Sequence, residues 1–159
     1  MLELIDAVAG RLEFDYGWCR PVYVDFLGHS SLIKIVFSGD EDRGLDPGQQ
    51  DAFARFWSSK ERLLSEAEIA ILEYYQSIRV DVRSRVPTEV AEIEAPPIEK
   101  ISDLGRVVRL DAIFFPEDFG SGKRVAGLLA DCSWDPSLGL AVRFEDESIV
   151  GVGPQDIVL

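Results

Sequence analysis

The closing stretch of the chain reads Ala130-Asp-Cys-Ser-Trp-Asp-Pro-Ser-Leu-Gly-Leu-Ala-Val-Arg-Phe-Glu-Asp-Glu-Ser-Ile-Val-Gly-Val-Gly-Pro-Gln-Asp-Ile-Val-Leu159. Short runs of β-branched and aromatic residues alternate there with Gly, Pro, Asp and Ser, which is typical of short strands joined by tight turns. We predict strands over residues 138–144 and 149–152, and residues 156–159 are a candidate edge strand. The stretch therefore predicts the last part of an antiparallel meander.

A further strand is predicted just before these, over residues 124–134, and it carries the most distinctive side chains. Because successive side chains of a strand point to opposite faces, Cys132 and Trp134 are expected on an inner face. Asp131 and Asp135 are then expected on the outer face, together with Ser133. Trp134 is the predicted core anchor, and Cys132 is predicted to be a buried, unreactive thiol.

Working outward, a long strand is predicted over residues 107–115, followed by a turn region at 116–123. Near the start of the chain, residues 12–16, 21–27 and 31–37 also have strand composition. The connections between these first strands are too short for a parallel crossover, so they predict a second antiparallel meander.

The middle of the chain predicts two helices. Asp46 is a good N-cap, with Pro47 at the first helical position and Gln49 placed to complete a capping box. A second helix is predicted to begin at Ser65, with Glu68 completing another capping box, and to run to about residue 85. Residues 88–100, which contain two prolines, are expected to be a connecting loop.

The predicted fold class is therefore α+β. It consists of an antiparallel β meander, two central helices, and a C-terminal antiparallel β meander packed with them. We expect a single domain over residues 1–159, with N-terminal strands in 1–37, the two helices in 46–86 and the C-terminal strands in 101–159.

Composition restricts the class of partner. The chain has 29 acidic and 16 basic residues, a net charge of −13, and this argues against nucleic acid and anionic membranes as ligands. It favours solubility or a partner with a basic patch. Two isolated cysteines, a start that is a poor signal peptide and the lack of a long apolar run together predict a cytoplasmic protein.

No catalytic or cofactor motif is complete. His29 is the only histidine, so sites that need two histidines are excluded, and a pairing of Cys19 with His29 lacks a third orienting group. The Gly122–Lys123 pair resembles part of a phosphate-binding loop, but Glu117 stands where that motif needs Gly and Arg124 where it needs Ser or Thr. We therefore predict no cofactor.

Two acidic groups remain as candidate sites. Asp40, Glu41 and Asp42 lie in a predicted surface loop, which faintly resembles a calcium loop but has its glycine one position early. Asp131 and Asp135 are the second group, and same-face carboxylates are able to bind a cation or act as acid and base. We predict that both groups form solvated, partner-binding surfaces and that neither binds a metal. The alternative is a metal or hydrolytic site at Asp131 and Asp135.

The closing stretch resembles that of a bacterial domain family with no defined activity. The family pattern Gly-Leu-Leu-x-x-Cys-x-Trp-Asp, then Gly-Leu-Gly-Val, then Val-Gly-x-x-Asp is matched by residues 127–129, 132, 134–135, 139–140, 142, 152–153 and 156. Gly17-Trp18 and Tyr74-Tyr75 fit the family layout as well, so the resemblance marks Trp18, Cys132 and Trp134 as core residues. Ser137-Leu138 departs from it, because the family tends to have Glu-His there.

The resemblance and the acidity together predict a function. Proteins of this general type are similar to immunity-type proteins of bacterial toxin systems. The leading hypothesis is therefore a non-catalytic cytoplasmic binding protein that masks a basic toxin domain. The rivals are a carboxylate-based metal-binding or hydrolytic domain using Asp131 and Asp135, and a structural or assembly module.

Overall fold

A single β-sheet runs through the molecule from its first strand to its last. The computed structural model describes residues 2–159, of which helices hold 34% and strands 35%, so the fold is mixed. The eight strands lie in the sheet in chain order. They are β1 (Glu3–Asp6), β2 (Gly10–Phe14), β3 (Trp18–Phe26), β4 (His29–Phe37), β5 (Val108–Phe115), β6 (Val125–Cys132), β7 (Leu140–Glu145) and β8 (Ser148–Gly153).

The two predicted meanders are both present, but they are joined into one sheet. Neighbouring strands are antiparallel within β1–β4 and within β5–β8. Residues 34–37 of β4 pair in parallel with residues 112–115 of β5. Parallel neighbours need a long crossover connection, and the helical segment between β4 and β5 provides it. The predicted α+β class with two antiparallel meanders is therefore present, and the parallel pairing that joins the meanders was not predicted.

The first helix begins at its predicted cap, whereas the second begins earlier than predicted. Helix α1 (Pro47–Ser58) has the predicted capping box between Asp46 and Gln49. Helix α2 (Lys60–Ser84) begins five residues before the predicted Ser65, because the chain turns at Ser59 and re-enters a helix at once. The Glu68 carboxylate is not part of a cap; it accepts a hydrogen bond from the Leu27 amide at 2.6 Å.

A third helix corrects the expected loop at residues 88–100. Helix α3 (Thr88–Glu94) ends beside α2, and Arg83 donates hydrogen bonds to the carbonyls of Ala91 and Ala95 at 3.1 and 2.8 Å. Arg79 also donates to the Ala95 carbonyl, at 3.2 Å. A cation near the last carbonyls of a helix stabilises its C-terminus, so α3 depends on α2 for this cap.

The core lies between the sheet and helices α1 and α2. An aromatic cluster fills it, with Phe37 and Phe115 stacked at a ring-centroid distance of 5.2 Å and Phe56 edge-on to Phe144 at 5.2 Å. Tyr75 is fully buried, and its hydroxyl donates to the Pro96 carbonyl at 2.6 Å. In the described part of the chain, no helix combines the length and apolarity needed to cross a bilayer.

Part of the opposite face of the sheet, over β6 to β8, is covered by the end of the chain. Residues 156–159 do not form an edge strand, because a 3₁₀ turn (Gln155–Ile157) places this segment against β7 and β8, with Val158 reaching Gly127 of β6. Val158 is buried there against Gly127, where a Cβ atom would lie only 2.3 Å from Val158 Cγ1. Gly127 therefore leaves room for the last residues of the chain to pack, which explains why the family pattern begins with a glycine.

Candidate partner-binding surface

Three connections meet at one end of the sheet. They are residues 15–17 between β2 and β3, residues 38–46 between β4 and α1, and residues 116–124 between β5 and β6. They meet because Trp18 pairs with Phe37 and Phe37 pairs with Phe115 in the sheet register. The Trp18 indole also donates to the Arg43 carbonyl at 2.7 Å. We call the surface formed by these three connections the loop end.

A network of hydrogen bonds orders the loop end. The Asp46 carboxylate accepts the Gln49 amide at 2.7 Å with one oxygen and the Asp118 amide at 2.9 Å with the other. The Gln49 side chain is buried and donates to the carbonyls of Ser38 and Phe115 at 2.9 and 3.0 Å. The start of α1 thus holds two loops in one arrangement.

These loops enclose an acidic cleft of about 230 Å³. Its lining contains four carboxylates, those of Asp40, Asp46, Glu117 and Asp118, and one guanidinium, that of Arg43. Arg43 Nη2 lies 2.6 Å from Asp40 Oδ2 and 3.4 Å from Glu117 Oε2. The hydrogen bond to Asp40 and the charges of Asp40 and Glu117 raise the pKa of Arg43. The rest of the lining comes from Gly39, Gly44, Gln49 and Phe119.

The acidic loop predicted from the sequence forms one wall of this cleft. Asp40, Glu41 and Asp42 are all exposed, and Asp40 is engaged by Arg43. Within residues 2–159, neither Glu41 nor Asp42 takes part in an ion pair. The opposite wall, Glu117 to Phe119, was expected only to be a turn; its local sequence contains no signal that it faces Asp40.

A family model described as Domain of unknown function (DUF6985) matches residues 8–159. The chain belongs to this family. The match includes the whole loop end and the closing stretch, so the predicted membership of a domain family with no defined activity is confirmed. Searches of curated proteins and of solved structures found no match. The likeness to immunity-type proteins stays a prediction, because the DUF6985 description names no partner.

In this DUF6985 member the second acidic group, Asp131 and Asp135, lies away from the loop end. Asp131 is paired across the sheet with Arg109, which precedes Phe115 by six residues on β5. At about 3.3 Å per residue along a strand, Arg109 lies roughly 20 Å from Phe115 and therefore from the loop end. The two predicted patches are therefore separate surfaces.

The internal contacts of Asp131 and Asp135 differ from the expected open face. Strand β6 ends at Cys132, so the alternation does not extend to Ser133 and Asp135, and the expected shared face is corrected. Asp131 Oδ2 lies 2.6 Å from Arg109 Nη2, and Asp135 Oδ1 accepts the Leu138 amide at 3.0 Å. Over residues 2–159, no group of three or more His, Cys, Asp or Glu side chains is arranged to hold a metal ion.

The residues marked as core by the sequence lie behind these surfaces. Trp18 and Cys132 are buried, and Trp134 is half-buried with its ring 5.0 Å from that of Tyr75. Burial raises the pKa of the Cys132 thiol to about 11, and burial also raises the pKa of Cys19. Both thiols therefore stay protonated near neutral pH, which disfavours their use as nucleophiles.

Proposed function

We propose that the chain is a non-catalytic protein-binding domain whose loop end receives a basic partner. The specific form of this proposal is an immunity-type role, in which the partner is a basic toxin domain. The observation that carries the proposal is the acidic cleft, which is lined by the β4–α1 and β5–β6 connections and held by the hydrogen bonds of Asp46 and Gln49.

Electrostatics support a basic partner. The chain has a net charge of −13, and the cleft adds a local excess of carboxylates at an ordered surface. Clefts lined by one sign of charge raise the association rate of oppositely charged partners. Glu41 and Asp42 stand beside the cleft with their carboxylates exposed, so a partner's lysines and arginines reach them without disrupting internal contacts.

The pre-existing pair in the cleft supports the same chemistry. Arg43 shows that the cleft walls accept a guanidinium in hydrogen-bonding geometry, with its closest contact at 2.6 Å to Asp40. Because Arg43 balances only part of the cleft's negative charge, an incoming basic side chain still gains attraction there.

The test begins with the native partner, identified by affinity capture from the source cells and by the products of adjacent genes. The purified partner is then mixed with the wild-type chain and with a variant carrying Glu41→Lys and Asp42→Lys. We expect the association rate constant to fall about tenfold or more at low salt, because steering contributes at least that much. The control carries Glu73→Lys and Glu99→Lys, which change the net charge equally at exposed positions outside the loop end.

Stopped-flow association over a series of salt concentrations measures this effect. The proposal requires that the loop-end variant lose both rate and salt dependence more than the control does. Equal rates for the two variants, or a partner without a basic surface, would contradict it.

A further inference from the structure

The two most exposed large hydrophobic side chains both lie at the loop end. Tyr16 is 99% exposed and Phe119 is 86% exposed, the highest values among such residues in the described part of the chain. Tyr16 is in the β2–β3 connection and Phe119 in the β5–β6 connection, where it forms part of the cleft lining. Both aromatic rings are thus presented to solvent at the loop end, and Phe119 also lines the acidic cleft.

Tyr16 occupies a backbone conformation that disfavours it. Its φ is +58°, in the left-handed region that glycine and asparagine adopt more readily than a bulky residue does. The turn is closed by the Asp15 amide, which donates to the Gly17 carbonyl at 2.8 Å, and this bond needs no aromatic side chain. Since the ring is fully exposed, the fold gains no burial that would offset the strain.

Phe119 is held by an ordered turn. The Asp118 amide donates to Asp46, and Asp118 Oδ1 in turn accepts the amides of Gly120 and Ser121 at 3.0 and 3.2 Å. The ring therefore projects from a turn that is tied to the start of α1. An exposed aromatic ring on a fixed support loses little conformational entropy on binding, which is why such residues dominate the energetics of interfaces.

We propose that Tyr16 and Phe119 are the apolar anchors of the loop end, and that their partner is a basic protein surface with apolar side chains set among its lysines and arginines. This inference rests on the proposed function and specifies the partner's chemistry. Charge complementarity selects the occupant, because Asp15, Glu41 and Asp42 are exposed on the connections of the loop end that surround the cleft or carry Tyr16. A second copy of this chain would bring its own net charge of −13 to the same surface.

The experiment uses two synthetic peptides with the same length and number of lysines. One peptide has only Gly and Ser between the lysines, and the other has Leu and Trp there. We expect the full chain to bind the apolar-containing peptide about tenfold more tightly, and Phe119→Ser or Tyr16→Asn to remove most of this difference. Neither variant should weaken binding of the polar peptide, because the carboxylates are unchanged.

Matched controls keep the test independent of folding. Asn tolerates positive φ, so Tyr16→Asn should be at least as stable as the wild type in a thermal melt. Tyr23→Ser removes an aromatic ring that is 70% exposed on β3, five residues beyond Trp18, and should retain the preference between peptides.

The other possible outcomes contradict either the anchors, the proposed function or the choice of partner. Equal affinities for the two peptides, or variants that keep the preference, would contradict the assignment of Tyr16 and Phe119 as anchors. Salt-dependent binding of both peptides would still support the proposed function in that case. Failure of both peptides to bind would overturn both proposals. A dimer in sedimentation that Phe119→Ser dissociates would replace the basic partner with a second copy of the chain.

Discussion

At the scale of single residues, Gly127 is the glycine of the described chain with the least room for a side chain. A Cβ atom there would lie 2.3 Å from Val158 Cγ1, closer than packed atoms approach. We expect Gly127→Ala to destabilise the protein by about 1–3 kcal/mol, the usual range for overpacking. Urea unfolding measures the change.

The control for this prediction is another glycine of the same sheet. A Cβ on Gly151 would lie 3.8 Å from Ile157 Cδ1, which is ordinary contact, so Gly151→Ala should change stability by less than about 0.5 kcal/mol. Val158→Ala in the Gly127→Ala background should recover part of the loss, because the two sites are in contact. Strictly additive effects in this double-mutant cycle would argue against the proposed clash.

At the scale of elements, the N-cap residue of α1 makes two structural contacts. Asp46 caps the helix through Gln49 and fastens the β5–β6 connection through the Asp118 amide. Asp46→Ala should remove both bonds and cost about 1–2 kcal/mol. Asp46→Asn should keep most of the cap, since Asn is an equally good N-cap, but its amide nitrogen is unable to accept the second bond.

Hydrogen exchange distinguishes the helix cap from the hydrogen bond to the Asp118 amide. Exchange at the Asp118 amide should accelerate in both variants, whereas the helix amides should be affected mainly in Asp46→Ala. Unchanged protection of Asp118 in Asp46→Asn would show that the β5–β6 connection is held by other contacts.

Local chemistry explains which elements were predictable. The predicted cap at Asp46 and Pro47 and most of the predicted strands are confirmed. These features were predictable because each depends on residues that are adjacent in the sequence. The start of α2 was predicted wrongly because Ser65 and Glu68 match a capping box in sequence, while Glu68 is used by the distant Leu27 amide. Helix α3 was missed because its stabilising cations come from another helix.

At the scale of the whole molecule, the loop end depends on pairing that a local pattern does not reveal. The acidic loop at residues 40–42 was predicted from composition, but its opposite wall at residues 117–119 follows a strand that lies far along the chain. Only the parallel pairing of β4 with β5 brings the two together. Tyr16 was missed for a different reason, since its positive φ and full exposure are properties of the folded turn.

The charge of the whole molecule has opposite consequences for folding and for binding. With 29 acidic and 16 basic residues, repulsion between carboxylates opposes the folded state. The ion pairs within the fold are mostly exposed and contribute little. Raising sodium chloride from about 0.01 M to about 1 M shortens the screening length from about 30 Å to about 3 Å. We therefore expect added salt to raise Tm, by about 3 °C for each 1 kcal/mol gained.

Affinity for a basic partner should fall over the same salt range, because screening removes the attraction at the loop end. The Glu73→Lys and Glu99→Lys variant is less negative, so salt should raise its Tm less than that of the wild type. Thermal melts and binding titrations in matched buffers test the expected rise in Tm and the expected fall in affinity. A Tm that falls with salt would mean that the exposed ion pairs outweigh the repulsion, and an affinity that does not fall would mean that the partner is held by apolar contacts rather than by charge.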